Sequence, residues 1–311
     1  MELARITVGT DFSEDSERAV AQALAIAEVS GAEVHIVHMV GPLDQPPKPV
    51  GPRDRYKERI DAELERAKGE LDKLGARYSG AAARVHYYAG DGEPDFGLVE
   101  SAKEIGSELV IVGSHGRTGY KRVLMGSVTE RVVRLSTIDV MVARRLPSDG
   151  FNKILVPIDF SPASLRALRA AVDLVETSGQ VHLAHFWKSR GSDWPGRGDG
   201  QEAEKLRSES EERLKELVAE HARDGVELEY FQERSSAVPG IMTMLERARD
   251  YDLVMLGSHG MRLRERWLLG SVAERIVRHA PCSVWVVRPP AGDGSKEGRP
   301  QPSGGPQGRI E

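Results

Sequence analysis

The feature that most constrains the fold is an internal repeat. The matching blocks are residues 6–39 with 154–186, followed in the same order by residues 109–134 with 253–278. Two matching blocks at nearly constant spacing indicate that a domain of about 145 residues has been duplicated. The sequence therefore predicts one domain over residues 1–146 and a second over residues 150–289.

Each half alternates short apolar runs with amphipathic segments, which gives the pattern βαβαβαβαβ twice. Ser13 and Ser161 are predicted to cap the first helix of each half, and Gly31 and Gly179 are predicted to end it. Because each parallel crossover needs a helix, the alternation predicts α/β architecture: two tandem domains, each a doubly wound, five-stranded parallel sheet.

Composition narrows the classes of partner. The chain is 40% hydrophobic and 29% charged, with a formal net charge of −5. These values are typical of a globular protein and provide no general attraction to nucleic acid or to an anionic membrane, so neither is expected as a partner. Any anion-binding site must be built locally. Residues 290–311, dominated by proline, glycine and charged residues, are predicted to form a disordered tail.

Three sequence features point to a cytoplasmic location. Cys282 is the only cysteine, which excludes an intrachain disulfide and favours a reducing compartment. No apolar run approaches the roughly 18 residues that a membrane span needs. The first ten residues include Glu2 and Arg5 and lack the apolar core of a signal peptide.

The main chemical signal follows the fourth predicted strand of each half. It is Gly-Ser-His-Gly, nine further residues, and then Gly-Ser. Glycine permits positive φ and lets an anion approach the main chain, and the N–H groups that begin the next helix favour a phosphate. Arg117 adds local positive charge in the first copy. The alternative is that Gly126 and Gly270 only begin a helix that the following serines cap.

An aspartate directly follows the first predicted strand of each half. Asp11 lies in Thr10-Asp-Phe-Ser, and Asp159 lies in the matching Ile-Asp-Phe-Ser. A carboxylate at this edge can accept hydrogen bonds from ribose hydroxyls or from an adenine edge. The alternative is an Asx-type turn that supports the start of the helix.

Other candidate sites are set aside. No Walker-type loop is present. The pairs His35/His38 and His182/His185 resemble metal ligands, but a separation of three in a strand directs them to opposite faces, and no metal site is predicted. His115 and His259 lie within the glycine loops, where contact with phosphate and a loop-shaping role are both open.

With these motifs the chain resembles a tandem universal stress protein of the ATP-binding type, over residues 3–289. The G-x2-G-x9-G-(S/T) loop and the V-x-x-D-F-S start carry the resemblance. It implies an adenine-nucleotide α-hydrolase-like sheet in the order 3-2-1-4-5, with ATP, AMP or ADP bound where the winding reverses, and with Mg²⁺ as an optional bridge between phosphates. It also implies an internal pseudo-dimer through the fifth strands, and allows a homodimer and an unidentified regulatory protein partner.

The same resemblance implies which residues would line the nucleotide. In the first half they are Thr10, Asp11, Met39, Gly113, His115, Gly116, Arg117, Gly126, Ser127 and Val128. In the second half they are Pro157, Asp159, Phe186, Gly257, His259, Gly260, Gly270, Ser271 and Val272.

The two halves depart from one another and are expected to bind with unequal affinity. Gly9 stands where the second half has Pro157, and the second loop lacks a counterpart of Gly119. The function expected is that of an ATP- or AMP-binding regulatory protein of the stress response. The alternatives are a slow Mg²⁺-dependent ATPase or nucleotidyl-transfer enzyme using His115 or His259, and an interaction module that binds no nucleotide.

Overall fold

A computed structural model describes most of the chain as two compact units. The first unit ends at Ala143, and the second runs from Arg144 to Pro289. Arg117, Gly260 and the tail predicted over residues 290–311 lie outside the described residues. The described ranges are 3–41, 53–116, 125–145, 150–187, 200–248, 250–259 and 269–289.

The first unit is one parallel sheet with its helices in the crossover connections. Every strand pair in it is parallel, and the strand order is β3-β2-β1-β4-β5. The predicted fold class and the order 3-2-1-4-5 are confirmed. The elements are β1 Arg5–Gly9, α1 Glu14–Ser30, β2 Glu33–Val40, α2 Arg53–Arg77, β3 Val85–Asp91, α3 Pro94–Ile105, β4 Leu109–Gly113, α4 Ser127–Leu135 and β5 Asp139–Ala143.

The second unit repeats this arrangement. Its strands are again all parallel, in the order β8-β7-β6-β9-β10, which is the same order 3-2-1-4-5 counted within the unit. The elements are β6 Lys153–Pro157, α5 Pro162–Leu174, β7 Gln180–Phe186, α6 Gly200–Glu220, β8 Glu227–Glu233, α7 Ala237–Ala248, β9 Leu253–Gly257, α8 Ser271–His279 and β10 Ser283–Val287.

The core of each unit lies along its central strands. All five residues of β4 are buried, as are the first four of the matching β9. Continuous burial of this kind is expected of parallel strands covered by helices on both faces. By contrast, every residue of β3 is at least partly exposed, and β8 alternates between exposed and half-buried residues. The central strands of each unit are therefore more buried than its outer strands β3 and β8.

The first helix of each unit begins as predicted. Ser13 caps α1 by accepting a hydrogen bond from the Ser16 amide, and Ser161 caps α5 in the same way. Each cap satisfies one of the amide groups that a helix leaves unpaired at its start. Phe12 and Phe160 precede these caps with φ values of 61° and 62°, so both turns adopt the same uncommon backbone conformation.

The ends of these two helices differ from one another. Gly31 ends α1 in the left-handed conformation with φ of 75°, as predicted. The same prediction for Gly179 is wrong, because α5 ends at Leu174 with Val175 as its C-cap. Gly179 is instead required for close packing, since a Cβ there would lie 2.7 Å from the carbonyl oxygen of Asn152.

Candidate functional site

A crevice opens at the carboxyl end of β1 and β4 in the first unit, where the strand order reverses. Its cavity volume is about 220 Å³. Every described residue predicted for this half lines the crevice, and their contacts with a ligand stay a prediction. The predicted residues brought together are Thr10, Asp11, Met39, Gly113, His115, Gly116, Gly126, Ser127 and Val128.

The matching crevice of the second unit, at the ends of β6 and β9, has a volume of about 490 Å³. Again every described residue predicted for this half lines it: Pro157, Asp159, Phe186, Gly257, His259, Gly270, Ser271 and Val272. Three replacements in the lining favour the greater volume, although Phe186 for Met39 and Pro157 for Gly9 oppose it. Three alanines stand where the first crevice has larger side chains: Ala184 for Val37, Ala237 for Pro94 and Ala273 for Thr129.

In each crevice the lining includes residues that the sequence did not predict. Leu98 and Ile241 come from the third helix of each unit, and Ser16 and Ser164 from the first helix. The sequence does contain a sign that the third helix packs closely against the crevice. Gly97 and Gly240 are helical glycines at matching positions of the two units. Glycine inside a helix costs about 0.5–1 kcal/mol relative to alanine, so a repeated one indicates a close contact.

That close contact positions the side chain at the end of the second strand. A Cβ on Gly97 would lie 2.2 Å from Met39 Cε, and one on Gly240 would lie 2.1 Å from Phe186 Cε1. Met39 and Phe186 therefore occupy the space that each helical glycine leaves open. Both present apolar surface to a crevice.

The aspartate after the first strand has two oxygens with different surroundings. Oδ1 of Asp11 accepts hydrogen bonds from the Ser13 amide at 3.1 Å and from its hydroxyl at 2.5 Å. Asp159 makes the same two bonds to Ser161, at 3.0 and 2.6 Å. The Asx turn considered as the alternative is therefore present. Oδ2 of Asp11 lies beside the glycine loop, since a Cβ on Gly116 would be 2.9 Å from it.

A histidine on the second strand supports each of these turns. Nδ1 of His38 lies 2.8 Å from the carbonyl oxygen of Thr10, and Nδ1 of His185 lies 2.7 Å from that of Ile158. Phe12 packs on the His38 ring, with centroids 4.6 Å apart. Burial lowers the pKa of His185, which favours a neutral ring whose Nδ1–H donates to the carbonyl. These contacts give His38 and His185 a structural role in the two turns.

The described glycines of the loops do not use the positive φ that glycine permits: it is absent from Gly113, Gly116, Gly126, Gly257 and Gly270. At Gly113 the small size of glycine matters instead. A Cβ on Gly113 would lie 2.8 Å from the Asp15 carbonyl carbon. The absence of a side chain there lets the end of β4 touch the first turn of α1.

The helix that follows each glycine loop begins without a side-chain cap. Gly126 is the N-cap of α4 and Gly270 the N-cap of α8, and neither helix receives a side-chain hydrogen bond at its cap. The amide groups of a first turn carry partial positive charge and need acceptors. Both uncapped starts line a crevice, whereas the neighbouring α1 and α5 are capped by serine.

The first crevice has a polar group that the second lacks. Oδ2 of Asp15 accepts hydrogen bonds from the His115 amide at 3.0 Å and from the Ser114 hydroxyl at 2.9 Å, and it lies 3.2 Å from His115 Nδ1. Nε2 of His115 is buried and has no hydrogen-bond partner among the described residues. In the second unit Ala163 replaces the aspartate, and His259 Nδ1 contacts only the Ser258 hydroxyl among the hydrogen bonds described.

Two other features bear on function. Burial raises the pKa of Cys282 to about 12, so its thiol is not a reactive nucleophile at neutral pH. Within the described residues, no helix combines the length and apolar character needed to cross a bilayer. The cytoplasmic location stays a prediction.

Comparison with known proteins agrees with the fold and the repeat. The chain is 28% identical over 298 residues to a universal stress protein of Mycolicibacterium smegmatis, covering 91% of this chain and 97% of the relative. A universal stress protein of Methanocaldococcus jannaschii is 28% identical over 153 residues, covering 45% of this chain and 94% of the relative.

A solved structure shows the same fold. The crystal structure of a universal stress protein from Archaeoglobus fulgidus matches with a TM-score of 0.67 at 24% identity, over 92% of this chain and 98% of that one. The profile of the Universal stress protein family matches residues 2–144 and again residues 150–288. Because these two matches cover nearly the whole of both halves, the chain belongs to the universal stress protein family and carries its domain twice.

Proposed function

We propose that the protein binds adenine nucleotides, ATP or its products AMP and ADP, with one site in the crevice of each unit. The observation that carries the proposal is the pair of uncapped helix starts, at Gly126 and Gly270, facing crevices at the switch point of the sheet. In each unit a phosphate would accept hydrogen bonds from these amides and be stabilised by the helix dipole.

The rest of each crevice suits a nucleoside. Oδ1 of the aspartate is held by the turn, which fixes the carboxylate and places Oδ2 of Asp11 beside the glycine loop, where we propose that a ribose hydroxyl donates to it. Met39 and Phe186 provide apolar surface against which an adenine ring can pack. Arg117 and Gly260 are proposed as further contacts on the basis of the sequence.

The unequal cavities support two sites of unequal affinity. The volume of the second crevice, about 490 Å³, lies within the range usual for small-molecule sites, and that of the first, about 220 Å³, lies below it. Binding in the first crevice therefore requires its side chains or its glycine loop to adjust. We expect the second site to fill first.

Regulation through occupancy follows from this arrangement. A nucleotide that binds only the folded protein stabilises it, and by contacting the glycine loop it alters a surface that another protein can recognise. The stress-response role, the regulatory partner, the internal pseudo-dimer and the homodimer are parts of this proposal. Mg²⁺ would be held mainly by the phosphates, and Asp11 is a carboxylate that lines the first crevice.

The proposal is tested by calorimetric titration of the full chain with ATP and with AMP, after extraction of any nucleotide that co-purifies. We expect two binding events per chain with different affinities. Nucleotide released from freshly purified protein would support the same conclusion. Absence of binding at millimolar ATP or AMP would contradict the proposal and favour a nucleotide-free interaction module.

A second candidate function, slow hydrolysis or transfer at the first site, is favoured by the Asp15–His115 pair. Asp15 holds the imidazole from its Nδ1 side, and Nε2 would accept a proton from an attacking water if the ring moved to expose this buried atom. The second unit has no such pair, since Ala163 occupies the matching position. Any hydrolysis is therefore assigned to the first unit.

For this candidate we expect His115→Ala to lower steady-state turnover of Mg-ATP by roughly 10²–10⁴-fold, the usual contribution of a general base, while ATP binding is retained. His259→Ala is the matched control and should leave turnover unchanged. Equal loss in both variants, or no turnover in the unaltered protein, would exclude the Asp15–His115 pair as a catalytic device.

A further inference from the structure

A cluster of metal-ligand side chains lies on β2 and β3 of the first unit, away from the crevice. His35 and His86 are direct partners in the parallel pairing of these strands, and Glu33 lies two residues before His35 on the same face. The two imidazole rings stack with centroids 4.7 Å apart and an interplanar angle of 14°. The cluster lies toward the amino ends of the strands, whereas the crevice lies at their carboxyl ends.

The three side chains direct one donor atom each toward a common point. Oε2 of Glu33 is 3.6 Å from Nε2 of His86 and 3.9 Å from Nε2 of His35. All three atoms lie within 4.8 Å of one another. In tetrahedral zinc sites with bonds of about 2.0–2.1 Å, neighbouring ligand atoms are separated by about 3.3 Å. Side-chain shifts of a few tenths of an ångström to about 1 Å would therefore close this set around an ion.

Both imidazole nitrogens lack the hydrogen bonds that buried polar atoms normally make. The His35 residue is 6% exposed. Although the His86 side chain is 43% exposed, its Nε2 is buried, as is Nε2 of His35, and neither atom has a hydrogen-bond partner among the described residues. An unsatisfied buried polar atom is destabilising and calls for an explanation. A bound cation would supply the missing partner for both.

Neighbouring groups orient two of the three ligands. Nδ1 of His35 lies 3.2 Å from the Tyr88 hydroxyl, a contact that leaves Nε2 facing the cluster. Arg84 pairs with Oε1 of Glu33 at 3.0 Å, so that Oε2 is the oxygen nearer the histidines. Arg84 and Arg5 add positive charge nearby, which weakens the attraction for a cation.

We propose that Glu33, His35 and His86 form a binding site for Zn²⁺ or a similar late first-row divalent metal ion, with Oε2, Nε2 and Nε2 as ligands. Imidazole nitrogen and carboxylate oxygen are ligands that zinc accepts, and three protein ligands leave a fourth position for water. Because the ligands come from two adjacent strands, the ion would tie β3, the outermost strand of the unit, to β2.

The second unit provides a natural comparison, because the same positions there lack the ligand set. His182 matches His35, but its strand partner is Glu229, and Gln180 stands in place of Glu33. The Gln180 amide donates to Glu227, and Nδ1 of His182 contacts the Tyr251 hydroxyl at 2.7 Å. With one histidine and one carboxylate, this position is not expected to bind zinc tightly.

The test is calorimetric titration of the chelator-treated full chain with Zn²⁺, checked by competition with a chromophoric chelator. We expect one tight zinc site per chain. His86→Ala should lower the zinc affinity by at least roughly 10–100-fold, because a loss of that size is usual when only a residue hydrogen-bonded to a metal ligand is altered. Tyr88→Phe, which removes the hydroxyl near His35 Nδ1, should weaken it by roughly 10-fold. His86 is partly exposed, so its truncation should leave the far-ultraviolet circular dichroism unchanged.

His182→Ala is the matched control and should retain the site with unchanged affinity. Zinc binding of equal affinity in His86→Ala and in the unaltered chain would overturn the proposal, as would absence of a tight site. Since the cluster does not line a crevice, titration of ATP into His86→Ala should match the unaltered chain, which separates the outcome of this test from that of the nucleotide proposal.

Discussion

ATP binding by the first unit is expected to be lost when Gly126 is replaced by aspartate. The Gly126 φ of −59° and ψ of 143° suit an ordinary N-cap residue, and a Cβ would make only normal contacts, the nearest at 3.5 Å from the Ser114 carbonyl oxygen. An aspartate there would accept hydrogen bonds from the first turn of α4, in place of a phosphate, and would also repel it. We expect one binding event per chain to disappear, with affinity falling by on the order of 100-fold or more, equivalent to about 2.7 kcal/mol.

The matched variant Gly126→Ala adds a side chain without a charge or a capping group. It therefore distinguishes the effects of charge and capping in Gly126→Asp from the effect of adding a side chain. Alanine cannot cap a helix, but it suits the φ and ψ of Gly126, so we expect it to retain most of the affinity and to change the unfolding free energy of the first unit by less than about 1 kcal/mol. Aspartate, in contrast, should leave stability unchanged or higher. Two ATP-binding events of unaltered affinity in Gly126→Asp would show that the start of α4 does not bind phosphate.

A large loss of ATP affinity is also expected for Asp11→Asn. This change keeps the carboxylate's role in the turn but removes its proposed role as an acceptor for the nucleotide. The asparagine oxygen can still accept both hydrogen bonds from Ser13, so the turn and the stability of the first unit should persist. Its amide nitrogen replaces Oδ2, the oxygen that lies beside Gly116, and turns an acceptor into a donor. We expect ATP affinity at the first site to fall by roughly 10–100-fold, equivalent to about 1.4–2.7 kcal/mol, the usual scale of a hydrogen bond to a charged group.

Asp11→Ala complements this variant, because it removes both roles. It should lower the ATP affinity and also destabilise the first unit by about 1 kcal/mol through loss of the turn bonds. Calorimetry and urea unfolding of the three proteins distinguish these effects. If Asp11→Asn binds ATP as tightly as the unaltered chain while Asp11→Ala does not, the aspartate acts only through the Asx turn.

The duplication has allowed the two crevices to diverge in chemistry as well as in size. The first has the Asp15–His115 pair, and the second has the greater volume that Ala237 and Ala273 provide. Neither difference disturbs the strand order, because the crevice residues lie at strand ends and helix starts. One unit is therefore free to change its ligand chemistry while the fold is retained.

Much of the fold could be predicted from local patterns along the chain. The last helix of each unit, Ser127–Leu135 and Ser271–His279, begins at the serine of the Gly-Ser pair, where the sequence predicts a helix start. Ser13 and Ser161 cap the helices expected of them. The parallel strand pairing follows from the strict alternation of strands and helices. Because the domain is repeated, each of these predictions holds for both units. Capping and periodicity involve residues within a few positions of one another, which is why sequence alone could reveal them.

Tertiary structure decided which distant residues meet. The sequence set aside the His35/His38 pair and gave no partner for His35, whereas the register of β2 on β3 places it beside His86. It left the role of His115 open until the packing of β4 against α1 brought Asp15 to its ring. It allowed positive φ or close approach for the loop glycines, and the packing shows that Gly113 serves a close contact and that none of the described ones has positive φ. Contacts of this kind depend on strand register and on packing between elements far apart in the chain. Neither can be predicted from a local sequence pattern.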